Sequence, residues 1–509
     1  MIMNDERTSR AGPREWNGLM VLSLPTLLLA LDFTMLHLAL PHLAADLKPS
    51  SAQQLWILDI YGFMIAGFLI TMGTLGDRIG RRKLLLIGAF AFGAASIVAA
   101  FSTSAGMLIV TRALLGVSGA TLMPSTLALI SNMFKDSKQR ATAISVWMVC
   151  FSSGAVIGPA VGGILLEYFW WGSVFLLSVP VMLLLLVTGP WLLPEYRNSE
   201  SKKLDPISVI LSFGSLLPLI YGLKDMAKEG ISFLAALLSI IGLSIGYWFV
   251  RRQKRLKDPL LDLGLFAYRG FSWSLIMMLM GSLIGGGFVF LFTQYLQMVE
   301  GLPPVEAGLW MMPYAAGSII GILAAPMLAR RFPSSHLIAS GLLISSVGYL
   351  MVIWTDTSWG MLIPILGSVL LLMGVGPLQV LSMDLIIGSA PPEKAGAASS
   401  LSETSGELGM ALGIAVMGSI GTVIYRNRMN VPDGIPNEAA ESASDTLAAA
   451  MNAAQQLPAA LADEIRMLAQ AAFASGFQVV GILSSVLLIG IAVISMASLR
   501  DKSPIKGNE

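Results

Sequence analysis

The sequence has one cysteine and three histidines in 509 residues, and only 12% of it is charged. The single thiol, Cys150, cannot close an intrachain disulfide, and with His37, His42 and His336 scattered it belongs to no metal-ligand cluster. No stretch reads G-x-x-x-x-G-K-[ST], which argues against a built-in ATP motor. Basic runs with interleaved aromatics are missing too, and the formal net charge is only +1, so no nucleic-acid partner is expected. A polar region long enough for a soluble partner-binding domain is lacking, which disfavours a receptor or scaffold. No nucleophile–base–metal constellation supports a membrane enzyme. No cleavable signal is expected: residues 1–17 are polar, and the first apolar run, 18–43, is too long for a signal core.

Apolar residues are what the chain has in abundance. They make up 55% of it, with a mean hydropathy of +0.74, where soluble domains carry roughly 25% charged residues. Runs of about 20 apolar residues are membrane-helix candidates. Fourteen are read here, at 18–43, 55–76, 83–101, 105–131, 141–166, 171–193, 206–223, 231–250, 272–298, 305–329, 336–354, 359–387, 396–424 and 474–498. With the N-terminus placed in the cytoplasm, the inner segments hold 25 Lys and Arg and the outer segments six, with Arg112 left inside the fourth span. Positive loops stay inside, so both termini are expected in the cytoplasm, with tails over 1–17 and 499–509.

Two connections stand out. Residues 251–271 form the most basic loop and are expected to link two halves. Residues 425–473 form the only long outer loop. It is Ala-rich, with Ser444 placed to cap a first helix and Pro458 to break it from a second, which predicts a helical hairpin outside the membrane.

Several short stretches carry physical meaning. Residues 73–83 read GTLGDRIGRRK. Gly73 and Gly76 let helices approach closely, and Gly80 permits a tight turn. Asp77 can accept from a neighbouring helix N-terminus, while Arg78, Arg81 and Arg82 can pair with it or with lipid phosphates. In the fifth span GAVIGPAVGG, residues 154–163, gives a smooth face from Gly154, Gly158, Gly162 and Gly163, with Pro159 removing a backbone donor. Such a helix can bend or slide.

These stretches carry a resemblance. GTLGDRIGRR resembles the loop motif of the major facilitator superfamily. GAVIGPAVGG resembles the antiporter motif of its drug exporters, and LIVTRALLGVSGA, residues 108–120, is similar to their fourth-span motif, with Arg112 and Gly116 in place. LDFTMLHLALP resembles the first-span motif of the fourteen-helix drug:proton antiporters. QQLWILDIY, the ending PEYR at 194–197 and the outer loop before the last span look most like the quaternary-ammonium-compound exporters of that group. His37 and Ser318 depart from that pattern, at positions where the family usually has an asparagine and where some close relatives carry an acid. The resemblance implies an all-α membrane fold: a bundle of six helices at 18–193, an inserted pair at 206–250, and a second six-helix bundle at 272–498. The two bundles would face a central cavity.

The buried charges are the candidate functional groups. Asp32 lies about 21 Å of helical rise into its span, and ionisable residues inside a membrane are functional candidates by default. With Arg112 and Glu407 it is assigned to proton coupling. Arginine keeps its charge, so Arg112 would act by biasing a neighbouring carboxylate, and an Asp32–Arg112 ion pair is the structural alternative. Asp59, with Trp56 and Tyr61 nearby, suits a quaternary ammonium, which answers to charge and π density. Ser399, Glu403 and Glu407 share a face at a spacing of four residues, with Glu403 about 10 Å and Glu407 about 16 Å from the inner end, and the two acids are assigned to binding the substrate cation. Trp310 and Tyr314, with Gln294, Tyr295 and Gln297, are further cavity candidates, although aromatic stripes are more often core. Asp384, near the inner end of the twelfth span, reads as structural. Gly73, Asp77, Gly80, Arg81, Arg82, Gly154, Gly158, Pro159 and Gly162 are assigned to the conformational change.

The expectation is therefore a monomeric exporter in a bacterial inner membrane, exchanging protons for lipophilic mono- and dications such as quaternary ammonium compounds, biguanides, dyes and methyl viologen-type compounds. No cofactor is expected beyond the proton as coupling ion. A membrane potential of 100 mV supplies about 2.3 kcal/mol per charge, and one pH unit about 1.4 kcal/mol. The alternative is a proton-coupled exporter of an endogenous metabolite or lipid on the same fold.

Overall fold

The computed structural model describes residues 11–197, 205–229, 232–256, 259–354, 362–391, 394–431 and 435–498. Among them it is built of helices and turns without strands, and fourteen helices are long and apolar enough to cross a membrane. They are α1 (Pro13–Leu47), α2 (Ser51–Ile79), α3 (Arg81–Ala100), α4 (Ala105–Met133), α5 (Ser137–Tyr168), α6 (Ser173–Leu192), α7 (Pro206–Glu229) and α8 (Phe233–Gln253). There follow α9 (Arg269–Gln294), α10 (Met312–Leu328), α11 (Ser334–Val352), α12 (Leu362–Ser389), α13 (Ala395–Arg428) and α14 (Ala459–Ser498).

Local chemistry sets many of the starts. Ser50 accepts from Gln53 N–H, and Gln53 returns the bond to Ser50 N–H, so α2 opens on a reciprocal cap. Ser104, Asp136 and Ser232 accept in the same way at α4, α5 and α8. Gly80 separates α2 from α3 at φ +113°, in the region that favours glycine.

Helices α1–α6 pack with one another, α1 chiefly on α5 and α4 on α2 and α3; α9–α14 do likewise, through α9–α13, α10–α12 and α11–α12. The two groups meet through α2 and α4 on α13 and through α5 on α10 and α12. Helices α7 and α8 pair together, and α7 lies against both α2 and α13, covering that seam from the side.

The connections are more ordered than their composition predicts. The expected tail over 1–17 is helical from Pro13, and Ala11 N–H bonds Gln139 Oε1 at 2.8 Å while Trp16 packs edge-on to Phe134. Residues 1–10 and 499–509 lie outside the described residues. The expected linker at 251–271 begins inside α8 and is no open loop. The buried Gln253 amide accepts from Leu260 and Leu261 N–H and donates to Ser208, and Thr74 Oγ1 on α2 donates to Leu260 O at 2.8 Å. Leu260, Leu261 and Leu265 are buried beside Phe271. Asp262 is bonded by Lys394; burial opposes the aspartate's charge, but the ammonium and Gly264 N–H outweigh it and hold the carboxyl below its usual range.

The predicted outer hairpin is corrected. Two short helices, Asn437–Asp445 and Leu447–Ala454, are followed at Ala459 by α14 itself, so what read as the hairpin's second arm is the first turns of the last membrane helix. Ser444 donates to Ala440 O within its helix, and Thr446 is the residue that caps the next one. The buried Leu447, Ala450 and Ile465 hold the segment against the second bundle.

Candidate translocation pathway

Arg112 on α4 is 1% exposed and Asp32 on α1 is 8% exposed. The arginine Nη1 donates to Asp32 Oδ2 at 2.5 Å, and its Nε donates to Ile57 O at 3.2 Å. The guanidinium lies 4.5 Å from the centre of the Tyr61 ring. An isolated buried charge costs several kcal/mol, and a pair is tolerable when hydrogen bonds satisfy it; this pair has both the bonds and an aromatic face. Tyr61, expected as a substrate contact, is instead 2% exposed beneath Arg112, and its hydroxyl finds no partner among the described residues.

Helix α1 is held in register by α5. A Cβ on Gly154 would strike Leu27 O and the Ala30 side chain, one on Gly158 would strike Thr34, and one on Gly162 would meet Met35 Cγ at 3.0 Å. Three glycines at four-residue spacing therefore let α5 lie directly on the helix that carries Asp32. Gly163, by contrast, faces open space. The Pro159 side chain lies outside the described residues, as does that of His37.

Trp56 stacks on Tyr221 of α7 at 6.2 Å and meets Phe63 edge-on, so it sits in the seam between α2 and the inserted pair. Asp59 is half-buried one turn along α2 from it. Glu403 on α13 is 7% exposed, and neither carboxyl oxygen has a hydrogen-bond partner among the described residues. Glu407, one turn further, is exposed. Ser399 and Ser400, just below, are fully buried.

Between α9, α10, α12 and α13 lies a cavity of about 470 Å³. Tyr314, stacked on Phe288 at 5.5 Å, lines it together with Gln294. Trp310 is exposed and does not line it, and Tyr295 is buried against Phe477 with its hydroxyl on Glu300. Gln470 of α14 donates to Met298 and Val299 O, closing off the π-helical Tyr295–Val299 segment that ends α9.

At the Gly80 end the two bundles are fastened together. Asp77 accepts from Gly396 N–H at 3.1 Å and Ala397 N–H at 3.0 Å, the free donors at the start of α13. Arg81, 1% exposed, bonds Asp77 Oδ1 at 2.8 Å. Gly73 leaves room for α13, since a Cβ there would meet Gly396 O and Ser400 Cβ at 2.6 Å. On the other flank Arg140 Nε bonds Asp384 Oδ1 at 2.6 Å, joining α5 to α12. Arg82 turns away from the seam to Pro190 and Leu193 O and to Glu195.

Sequence reasoning missed Glu195. Its carboxylate accepts from Arg82 and Lys83 N–H and so caps α3, while Arg81 N–H bonds Tyr196 O. The stretch PEYR, noted only as a likeness, is thus the clasp on the GTLGDRIGRR turn. The signal was an acid among prolines facing a helix start more than a hundred residues away, which spacing alone does not reveal.

Fourteen membrane-crossing helices in two groups of six and a pair, with charges buried where the groups meet, define a multi-pass membrane transporter rather than an enzyme. The chain belongs to the Major Facilitator Superfamily, whose family model matches residues 22–414. It is 44% identical over 494 residues to the multidrug efflux pump LfrA of Mycolicibacterium smegmatis, covering 97% of this chain and 98% of that protein. It is 34% identical over 453 residues to the methyl viologen resistance protein SmvA of Salmonella typhimurium, covering 87% and 90%. Among solved structures the human organic anion transporter MFSD10 (TETRAN) shares the fold, with a TM-score of 0.57 at 18% identity, covering 94% of this chain and 100% of that one.

Proposed function

We propose that this transporter exports lipophilic mono- and dications across a bacterial plasma membrane in exchange for protons, by alternating access, with both termini in the cytoplasm. The observation that carries the proposal is the Asp32–Arg112 pair, sealed in the first bundle on the helix against which the Gly154–Gly158–Gly162 face is packed. A proton arriving there weakens the pair and changes what holds α1 and α4 together. Glu403 and Glu407 stand one turn apart in the second bundle, where a cation would favour their ionised forms and a proton would neutralise them. The likeness to a multidrug efflux pump and to a protein named for resistance to methyl viologen, a dication, supports cationic substrates.

The basic Gly80 end is then cytoplasmic, and the contacts of Asp77 and of Arg140 with the second bundle are the closed cytoplasmic gate. A second reading, export of an uncharged polycyclic metabolite, is favoured by the cavity at Tyr314, which no charged side chain lines. Everted vesicles separate the two. Proton pumping should drive ethidium-type cations inward and nigericin should abolish the uptake; uptake of neutral polycyclic compounds alone would favour the second reading.

A further inference from the structure

Helix α9 contains four glycines within seven residues, and three have a packing reason. A Cβ on Gly281 would meet Leu378 Cδ2 at 2.6 Å, one on Gly286 Met410 O at 2.6 Å, and one on Gly287 Met417 Cγ at 2.6 Å. Gly285 differs: a Cβ there would meet nothing within 4 Å, and the residue lines the 470 Å³ cavity. Glycine in a helix interior is less stable than alanine because it loses more backbone freedom on folding. At Gly285 no neighbouring helix requires it, so the missing side chain serves the cavity.

The remaining wall defines an occupant. Around Gly285 stand Met410, Tyr314, Gln294 and Gln379, with no carboxylate or cation among the lining residues. Met410 is 49% exposed, a polarisable side chain free to adapt to a ring. It lies three residues beyond the exposed Glu407 on α13, about 4.5 Å of rise along one face. The volume lies in the range of small-molecule sites. Charge on Glu407 and an apolar trough directly beyond it suit a molecule with a charged head and a flat body.

We propose that Gly285 is a specificity-determining residue: its bare backbone floors a subsite that accepts the fused aromatic body of a polycyclic cation, with the positive charge held toward Glu407. The inference rests on the cation-export reading and deepens it. Small cations need only the charge and ignore the floor; polycyclic ones need both.

The test is binding in detergent, by fluorescence for ethidium and by competition against it for tetraethylammonium, on the parent protein, Gly285→Ala and Gly285→Leu. Gly285→Leu should weaken ethidium at least tenfold and leave tetraethylammonium within twofold, with Gly285→Ala in between. Both variants should melt no lower than the parent, because the added Cβ meets nothing within 4 Å and the rest of the leucine enters the cavity. Equal losses for both cations, no loss for either, or a variant that melts lower overturns the inference while leaving cation export standing. A parent protein that binds neither cation overturns the export reading, and the inference with it.

Discussion

Asp32 and Arg112 hold each other's charge inside the first bundle, so altering one leaves the other exposed to the full cost of burial. Asp32→Asn should abolish coupled export and also lower stability, by about 3–5 kcal/mol if the pair is fully broken. The double variant Asp32→Asn, Arg112→Gln should recover much of the melting temperature and none of the transport; recovery of both would make the pair a structural strut only. Glu407 is exposed on α13, three residues before the cavity-lining Met410, so Glu407→Gln should weaken dications about tenfold and monocations less, read by binding in detergent. Equal losses would deny it a charge-matching role. The charges themselves were legible in the sequence, because an acid or an arginine inside an apolar run is rare and costly. Their partners were less so. Periodicity predicted that Tyr61 could face a substrate, but it could not show that the face is filled by Arg112, since that contact joins residues 51 positions apart.

At the scale of helices, α5 lies on α1 through glycines, and the prediction is a contrast between neighbours. Gly158→Leu forces Thr34 aside, two residues from Asp32, and should cost about 1–3 kcal/mol by overpacking and stop turnover, while cation binding in detergent persists. A Cβ at Gly163 meets nothing within 4 Å, so Gly163→Leu should leave melting and turnover unchanged. Similar damage from both would mean that the segment tolerates no side chain for reasons other than α1. Just before α7, Asp205 accepts from Arg252 Nε at 2.7 Å and Nη2 at 3.1 Å at the end of α8, and these bonds hold its carboxyl below the usual range. A depressed acid stabilises the fold above its unfolded value, near 3.9, and the stability is lost as pH falls through the folded value. The drop in melting temperature between pH 6 and pH 3 should therefore be smaller in Asp205→Asn. The membrane helices were readable as apolar runs; the second arm of the outer segment was misread because Pro458 separates one short helix from the next without showing that the next is α14 itself.

For the whole molecule, the Gly80 end is joined across the seam by Asp77 on the start of α13, Arg140 on Asp384, and packing between Gly73 and Gly396, which the proposed function makes the closed gate. Removing one should shift the balance toward opening at that end. In a Cys150→Ala background, Ser399→Cys stands at a buried position two residues beyond the Ala397 contact with Asp77, and adding Arg140→Ala should raise its maleimide labelling severalfold; unchanged labelling would mean that the proposed gate is held elsewhere. The loop motif foretold that Asp77 would meet a helix N-terminus, but not that this helix would belong to the other bundle. On the proposed reading, charge on the acids alternates between proton and cation. The direct measurement uses proteoliposomes with the membrane potential clamped at zero and an outward or inward pH gradient imposed. Exchange predicts that ethidium accumulates against its gradient on the proton-rich side, that protons appear on the other side in step with it, and that Asp32→Asn abolishes both. Cation movement that ignores the pH gradient, or proceeds unchanged in Asp32→Asn, would contradict proton-coupled export.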